Sequence, residues 1–211
     1  MPRTSTAKRA VLLDALGTLV ELEPPAPHLA AELARRWQLE ITVAEAEAAL
    51  AAEIGYYKAH HLEGRDEASL AELRRRCAGV LHGALPAAAR ERVGPEELVP
   101  ALLGALRFRA YPEVPAWLAV LRAAGMKLAV VSNWDVSLGE VLERVGIAEL
   151  LDCVVTSAAV GAAKPDPAPF ERALASLEVE PHEAVHLGDS PDLDLPGAAA
   201  AGIEAVLISR R

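Results

Sequence analysis

A chain of 211 residues suits one ordinary domain, or a core carrying a smaller insert. With 52% hydrophobic, 24% charged and only 4% aromatic residues, it fills a core with Ala, Leu and Val, and its aliphatic content argues against disorder. The net charge of −9 argues against a nucleic-acid binder, which needs clustered Lys and Arg, and any anionic ligand would need local positive groups.

The chain opens on a basic segment, followed at residues 10–13 by an apolar run too short for a signal or membrane segment, so a cytoplasmic protein is expected. Between Leu19 and Phe108 the sequence is dominated by Ala, Leu, Glu and Arg, with no convincing strand. It is entered at Pro24, Pro25 and Pro27, broken near Gly64, Pro86 and Gly94-Pro95, and left at Ala110-Tyr111-Pro112. This is the pattern of an inserted set of antiparallel helices. The basic pairs and triplets inside it, Arg35-Arg36 and Arg74-Arg75-Arg76, sit beside Glu and read as solvated helix faces. Tyr56-Tyr57 and His60-His61 fall on one helix, where adjacent histidines point to different faces and make no paired metal site. Cys77 and Cys153 lack metal-type spacing and read as two reduced thiols.

Past the insert, apolar runs at 127–131, 153–155, 184–187 and 205–208 alternate with helical segments at 114–124, 136–145, 167–177 and 195–201. The runs do not alternate with polar residues, as expected of strands buried on both faces of a parallel sheet. The fold class is therefore α/β: a Rossmann-like parallel-sheet core at residues 1–20 and 108–211, with an inserted α-helical cap at 21–107.

Four polar clusters stand at the carboxyl ends of these strands, where open parallel sheets bind ligands. They are Asp14-Ala15-Leu16-Gly17-Thr18, Ser132-Asn133-Trp134-Asp135, Lys164-Pro165-Asp166-Pro167 and Gly188-Asp189-Ser190-Pro191-Asp192-Leu193-Asp194. Singly, each is an ordinary turn or helix cap. Jointly they make a site: Asp14 as carboxylate nucleophile, Ser132 and Asn133 to hold a transferring group, and Lys164 to steady nucleophile and anion. Asp14, Asp189 and Asp194 form an oxygen cluster suited to Mg²⁺.

In this order the motifs Asp-x-x-Gly-Thr-Leu, Val-Ser-Asn, Lys-Pro-Asp-Pro-x-x-Phe and Gly-Asp-Ser-x-x-x-Asp-x-x-Gly-Ala resemble those of the haloacid dehalogenase superfamily. Tyr111-Pro112-Glu113-Val114 resembles the re-entry segment of members whose helical cap follows the first motif. The resemblance implies a Mg²⁺-dependent hydrolase acting on a small phosphorylated molecule through an aspartyl intermediate on Asp14. It assigns Ser132 and Lys164 as catalytic and Thr18, Ser132, Asn133 and Lys164 as substrate-binding. Asp14, Asp189, Asp194 and the main-chain carbonyl of Leu16 would be metal ligands. Oligomeric state is not legible.

One position departs from the pattern. Phosphatases of this superfamily carry a second Asp two residues after the nucleophile, as acid and base for the leaving group, and here that residue is Leu16. Asp135, His28, Glu21 and Glu23 are the candidate surrogates. Two alternatives remain open: a 2-haloacid dehalogenase, whose halide leaves without a proton, and a catalytically weak binding or assembly protein.

Overall fold

In the computed structural model, which describes residues 7–210, the first apolar run is β1 (Ala10–Leu13) and the chain then turns into β2 (Val20–Leu22). The remainder of the expected core, residues 1–6 and 211, lies outside the described residues. Five helices follow: α1 (Pro25–Trp37), α2 (Val43–His60), α3 (Glu67–Ala84), α4 (Ala87–Arg90) and α5 (Val99–Ala105). After β3 (Phe108–Ala110) the chain alternates α6 (Val114–Ala123), β4 (Lys127–Ser132), α7 (Leu138–Arg144), β5 (Cys153–Thr156) and a single turn, α8 (Ser157–Val160). It closes with α9 (Ala168–Leu177), β6 (Ala184–Gly188), α10 (Asp194–Ala200) and β7 (Glu204–Leu207).

The five runs read as strands form one parallel sheet of order β5-β4-β1-β6-β7. β1 is central, every one of its residues is buried, and the register pairs Leu13 with Val130 on one side and Leu187 on the other. This register brings the carboxyl ends of β1, β4 and β6 level with one another. Burial on both faces explains the missing polar alternation: Leu12, Ala129, Val131 and Val155 pack with Phe170 and Leu174 of α9.

Two compact units result: residues up to Glu21 together with those from Arg109 onward, and Leu22–Phe108. In the second, Leu29, Leu33, Leu50, Leu73, Leu81 and Leu102 make a separate apolar core. Its helices begin on side-chain caps, Thr42 with Glu45 for α2 and Asp66 with Ser69 for α3, each a reciprocal capping box. The basic clusters lie beside Glu, with Arg74 and Arg76 half-buried: Arg35 and Arg36 pair with Glu32, Arg75 with Glu72, and Arg76 with Glu63. His61 leaves α2 for a short 3₁₀ turn, so the two histidines sit in different elements. No disulfide joins Cys77, which is buried, to Cys153.

The expectation of no strand from Leu19 to Phe108 is corrected at both ends. β2 and β3 pair in a two-stranded sheet. Each is three residues long with mixed burial, too short to show a period. Among the described residues no helix is long and apolar enough to cross a membrane.

Candidate active site

Asp14 follows β1 directly, and its backbone N–H donates to the Leu187 carbonyl at 2.9 Å, fixing the start of the loop against β6. The loop then turns sharply, with the amides of Leu19 and Val20 both donating to the Ala15 carbonyl. Gly17 sits at φ +81°, and a Cβ there would stand 2.2 Å from Oδ2 of Asp189. Only glycine allows both the left-handed backbone and that approach.

Three of the expected residues meet at one carboxylate oxygen. Oδ1 of Asp14 accepts from the Ser132 hydroxyl at 2.9 Å and from the Lys164 ammonium at 2.7 Å. The same ammonium donates to Oδ1 of Asp194 at 2.6 Å. All four residues are buried, Lys164 to 4% exposure. Charge-assisted bonds shielded from water are strong, and they hold the Asp14 carboxylate in one orientation.

Asp14, Asp189 and Asp194 each offer a carboxylate oxygen, all within 4.8 Å of one another. One lysine faces three acids. Partial burial and the charges of Asp14 and Asp194 together push Asp189 above the ordinary carboxylate range. Burial would raise Asp194 too, but the His186 hydrogen bond and the Lys164 charge outweigh it and hold Asp194 well below that range. Oxygen-only donors with surplus negative charge suit a hard divalent cation.

Other expected residues have different surroundings. Both polar atoms of the Asn133 amide engage the Lys164 backbone: Nδ2 donates to its carbonyl at 3.0 Å and Oδ1 accepts from its N–H at 2.7 Å. The amide thus anchors the lysine's main chain, where the peptide to Pro165 is cis. Thr18 is 1% exposed and its Oγ1 has no hydrogen-bond partner. Leu16 is 42% exposed, an apolar side chain two residues from Asp14. Of the surrogate acids, Asp135 caps the amide of Ser137, Glu21 pairs with Arg109, and Glu23 pairs with His28.

Two participants were not expected from the sequence. Arg210 lies over the Tyr111 ring, 4.0 Å from its centroid, pairs with Glu113, and donates to the Thr18 carbonyl. It links residues 111–113 to the loop that follows β1. His186 is fully buried in β6, its Nε2 2.9 Å from Oδ1 of Asp194. A histidine inside a run buried on both faces was the available signal, since such a group needs a partner.

A family model described as haloacid dehalogenase-like hydrolase matches residues 8–202. The phosphoserine phosphatase of Thermus thermophilus is 41% identical over 105 residues, which are 49% of this chain and 42% of that protein. The chain matches less than half the length of such curated relatives. Among solved structures, a HAD phosphatase from Thermococcus onnurineus is 29% identical with a TM-score of 0.64, covering 96% of this chain and 86% of that one. A 2-haloacid dehalogenase from Pseudomonas syringae pv. Tomato DC3000 is 27% identical with a TM-score of 0.63 and the same coverages.

Proposed function

Because the chain belongs to the haloacid dehalogenase-like hydrolases, we propose that it hydrolyses a small phosphorylated metabolite through a covalent phosphoryl group on Asp14. The observation that carries this reading is the buried Ser132–Asp14–Lys164 arrangement at the carboxyl ends of β1 and β4, beside an acidic cluster. Oδ1 of Asp14 is anchored by two hydrogen bonds, so Oδ2 is the nucleophile. Its attack forms the aspartyl O–P bond as the ester P–O bond breaks and the leaving oxygen takes the electron pair. Water then cleaves the acyl phosphate, returning Asp14 and releasing inorganic phosphate. Lys164 neutralises charge on the transferring group, and Ser132 orients it.

Asp14, Asp189 and the Leu16 carbonyl, with Asp194 behind them, would hold Mg²⁺, which supplies charge neutralisation for the phosphoryl oxygens. The helical unit would act as the cap that selects the substrate. Leu16 carries no proton, so substrates whose leaving group departs as a stable anion, such as aryl or acyl phosphates, are favoured over alkyl esters. The same feature, with the likeness to a haloacid dehalogenase, keeps halide displacement as the second reading.

The test assays the purified protein with an aryl phosphate and with 2-chloropropionate, each with and without Mg²⁺, beside Asp14→Asn. Phosphate release that requires both Mg²⁺ and Asp14 is expected. Metal-independent chloride release would replace this reading with the second, and Asp14→Asn retaining full phosphate release would overturn the role of Asp14 outright.

A further inference from the structure

We infer that His186 is a positioning residue for Lys164, acting through Asp194 to keep the ammonium against the nucleophile. A line of buried contacts runs across the site. The Phe170 ring meets the His186 imidazole edge to face, centroids 4.9 Å apart at 89°. Nε2 of His186 lies 2.9 Å from Oδ1 of Asp194, and that oxygen accepts from Lys164 at 2.6 Å. The other end of the line is the Lys164 bond to Asp14 at 2.7 Å.

The acceptor fixes the direction of the first bond. A carboxylate oxygen only accepts, so Nε2 of His186 carries a proton and donates to Asp194. That bond fills a lone pair of Oδ1 beside the one taken by Lys164.

Asp194 is held on every side. Oδ2 accepts from the Ser190 amide at 2.9 Å, and the Gly188 backbone lies so close that a Cβ there would be 2.2 Å from Cγ. Phe170 is confined in turn, because a Cβ on Gly197 would approach its Cε2 to 2.6 Å. Without His186, Oδ1 loses its second donor, and the Lys164 ammonium is drawn toward Asp194 and off Asp14.

The kinetic arm of the test rests on the hydrolytic reading above; the structural arm does not. His186→Gln places an amide nitrogen near the position of Nε2, His186→Asn stops short of Asp194, and His186→Leu fills the space with no donor. Against an aryl phosphate, Leu and Asn are expected to lower kcat roughly 10–100-fold with KM within about threefold, and Gln to restore kcat to within about threefold of the native chain. Crystal structures of the variants are expected to show Lys164 Nζ withdrawn from Asp14 in Leu and Asn and kept in Gln. Should His186→Leu be insoluble, Asn and Gln carry the comparison. Equal kcat across the series overturns the inference, as does a Leu or Asn structure with the Lys164–Asp14 contact intact. If the native chain releases no phosphate, the hydrolytic reading fails, and the crystal structures still decide the role of His186.

Discussion

Leu16→Asp tests directly what the leaving group lacks. At 42% exposure Leu16 contributes little to the core, so the exchange should alter stability by no more than about 0.5 kcal/mol. The new carboxyl stands two residues from Asp14, next to Gly17, whose backbone abuts Asp189. Like charges favour the protonated form, the one a general acid needs. Such an acid is worth roughly 10²–10⁴-fold, or about 3–5 kcal/mol from the barrier. Leaving-group dependence makes the assay specific. Phosphate release from an alkyl phosphate should rise by that factor, while release from an aryl phosphate, whose phenolate leaves unaided, should rise far less. Equal rises for both, or none for the alkyl ester, would refute the reasoning.

Lys164→Met should expose the cost of the acidic cluster: breaking a buried ion pair typically costs about 3–5 kcal/mol, which in a chain this size lowers the melting midpoint by roughly 6–20 °C. Calorimetry should also show part of that loss recovered when Asp14→Asn is added, and a fall under about 2 °C would contradict the pairing. Gly17→Ala should cost about 1–2 kcal/mol from its left-handed backbone and push Asp189 aside, weakening the thermal stabilisation given by Mg²⁺; an unchanged response to Mg²⁺ would count against Asp189 as a ligand. Glu53 is buried in α2, and burial raises its carboxyl above the ordinary 4.5 despite a hydrogen bond with Cys77. A raised folded-state value gives a contribution fully present below about 4.5 and lost as pH climbs through that raised value. Glu53→Gln should therefore gain stability over the native chain between pH 4.5 and 7, and a difference in melting midpoint that stays flat with pH would rule this out.

The sheet was legible because its strands are short, apolar and punctuated. Burial on both faces removes alternation, and each of β1, β4 and β6 ends on a polar cluster. Hydrogen bonds join Asp14, Ser132, Lys164 and Asp194 from these clusters. Harder to read was anything decided by a partner distant in sequence. Asn133 carries the right groups to bind an anion, and its amide also anchors the Lys164 backbone, a pairing no local pattern encodes. Thr18 sits inside a motif and is nevertheless buried, while Arg210, outside every motif, reaches the loop after β1. The break between α1 and α2 was missed because Gln38 adopts φ 53°, a conformation expected of Gly or Asn.

The pairing of β2 with β3 bears on how such a chain diversifies. Leu22–Phe108 lengthens the connection from β1 to β4 roughly fourfold, and because closure entropy grows only with the logarithm of length, the added cost is about 1 kcal/mol. Joined at its two ends, the insert burdens the sheet little more than a short loop does. Exchange of this segment for another is thus cheap in folding terms, and the part of the chain freest to vary lies between the strand that leads into Asp14 and the strand that carries Ser132.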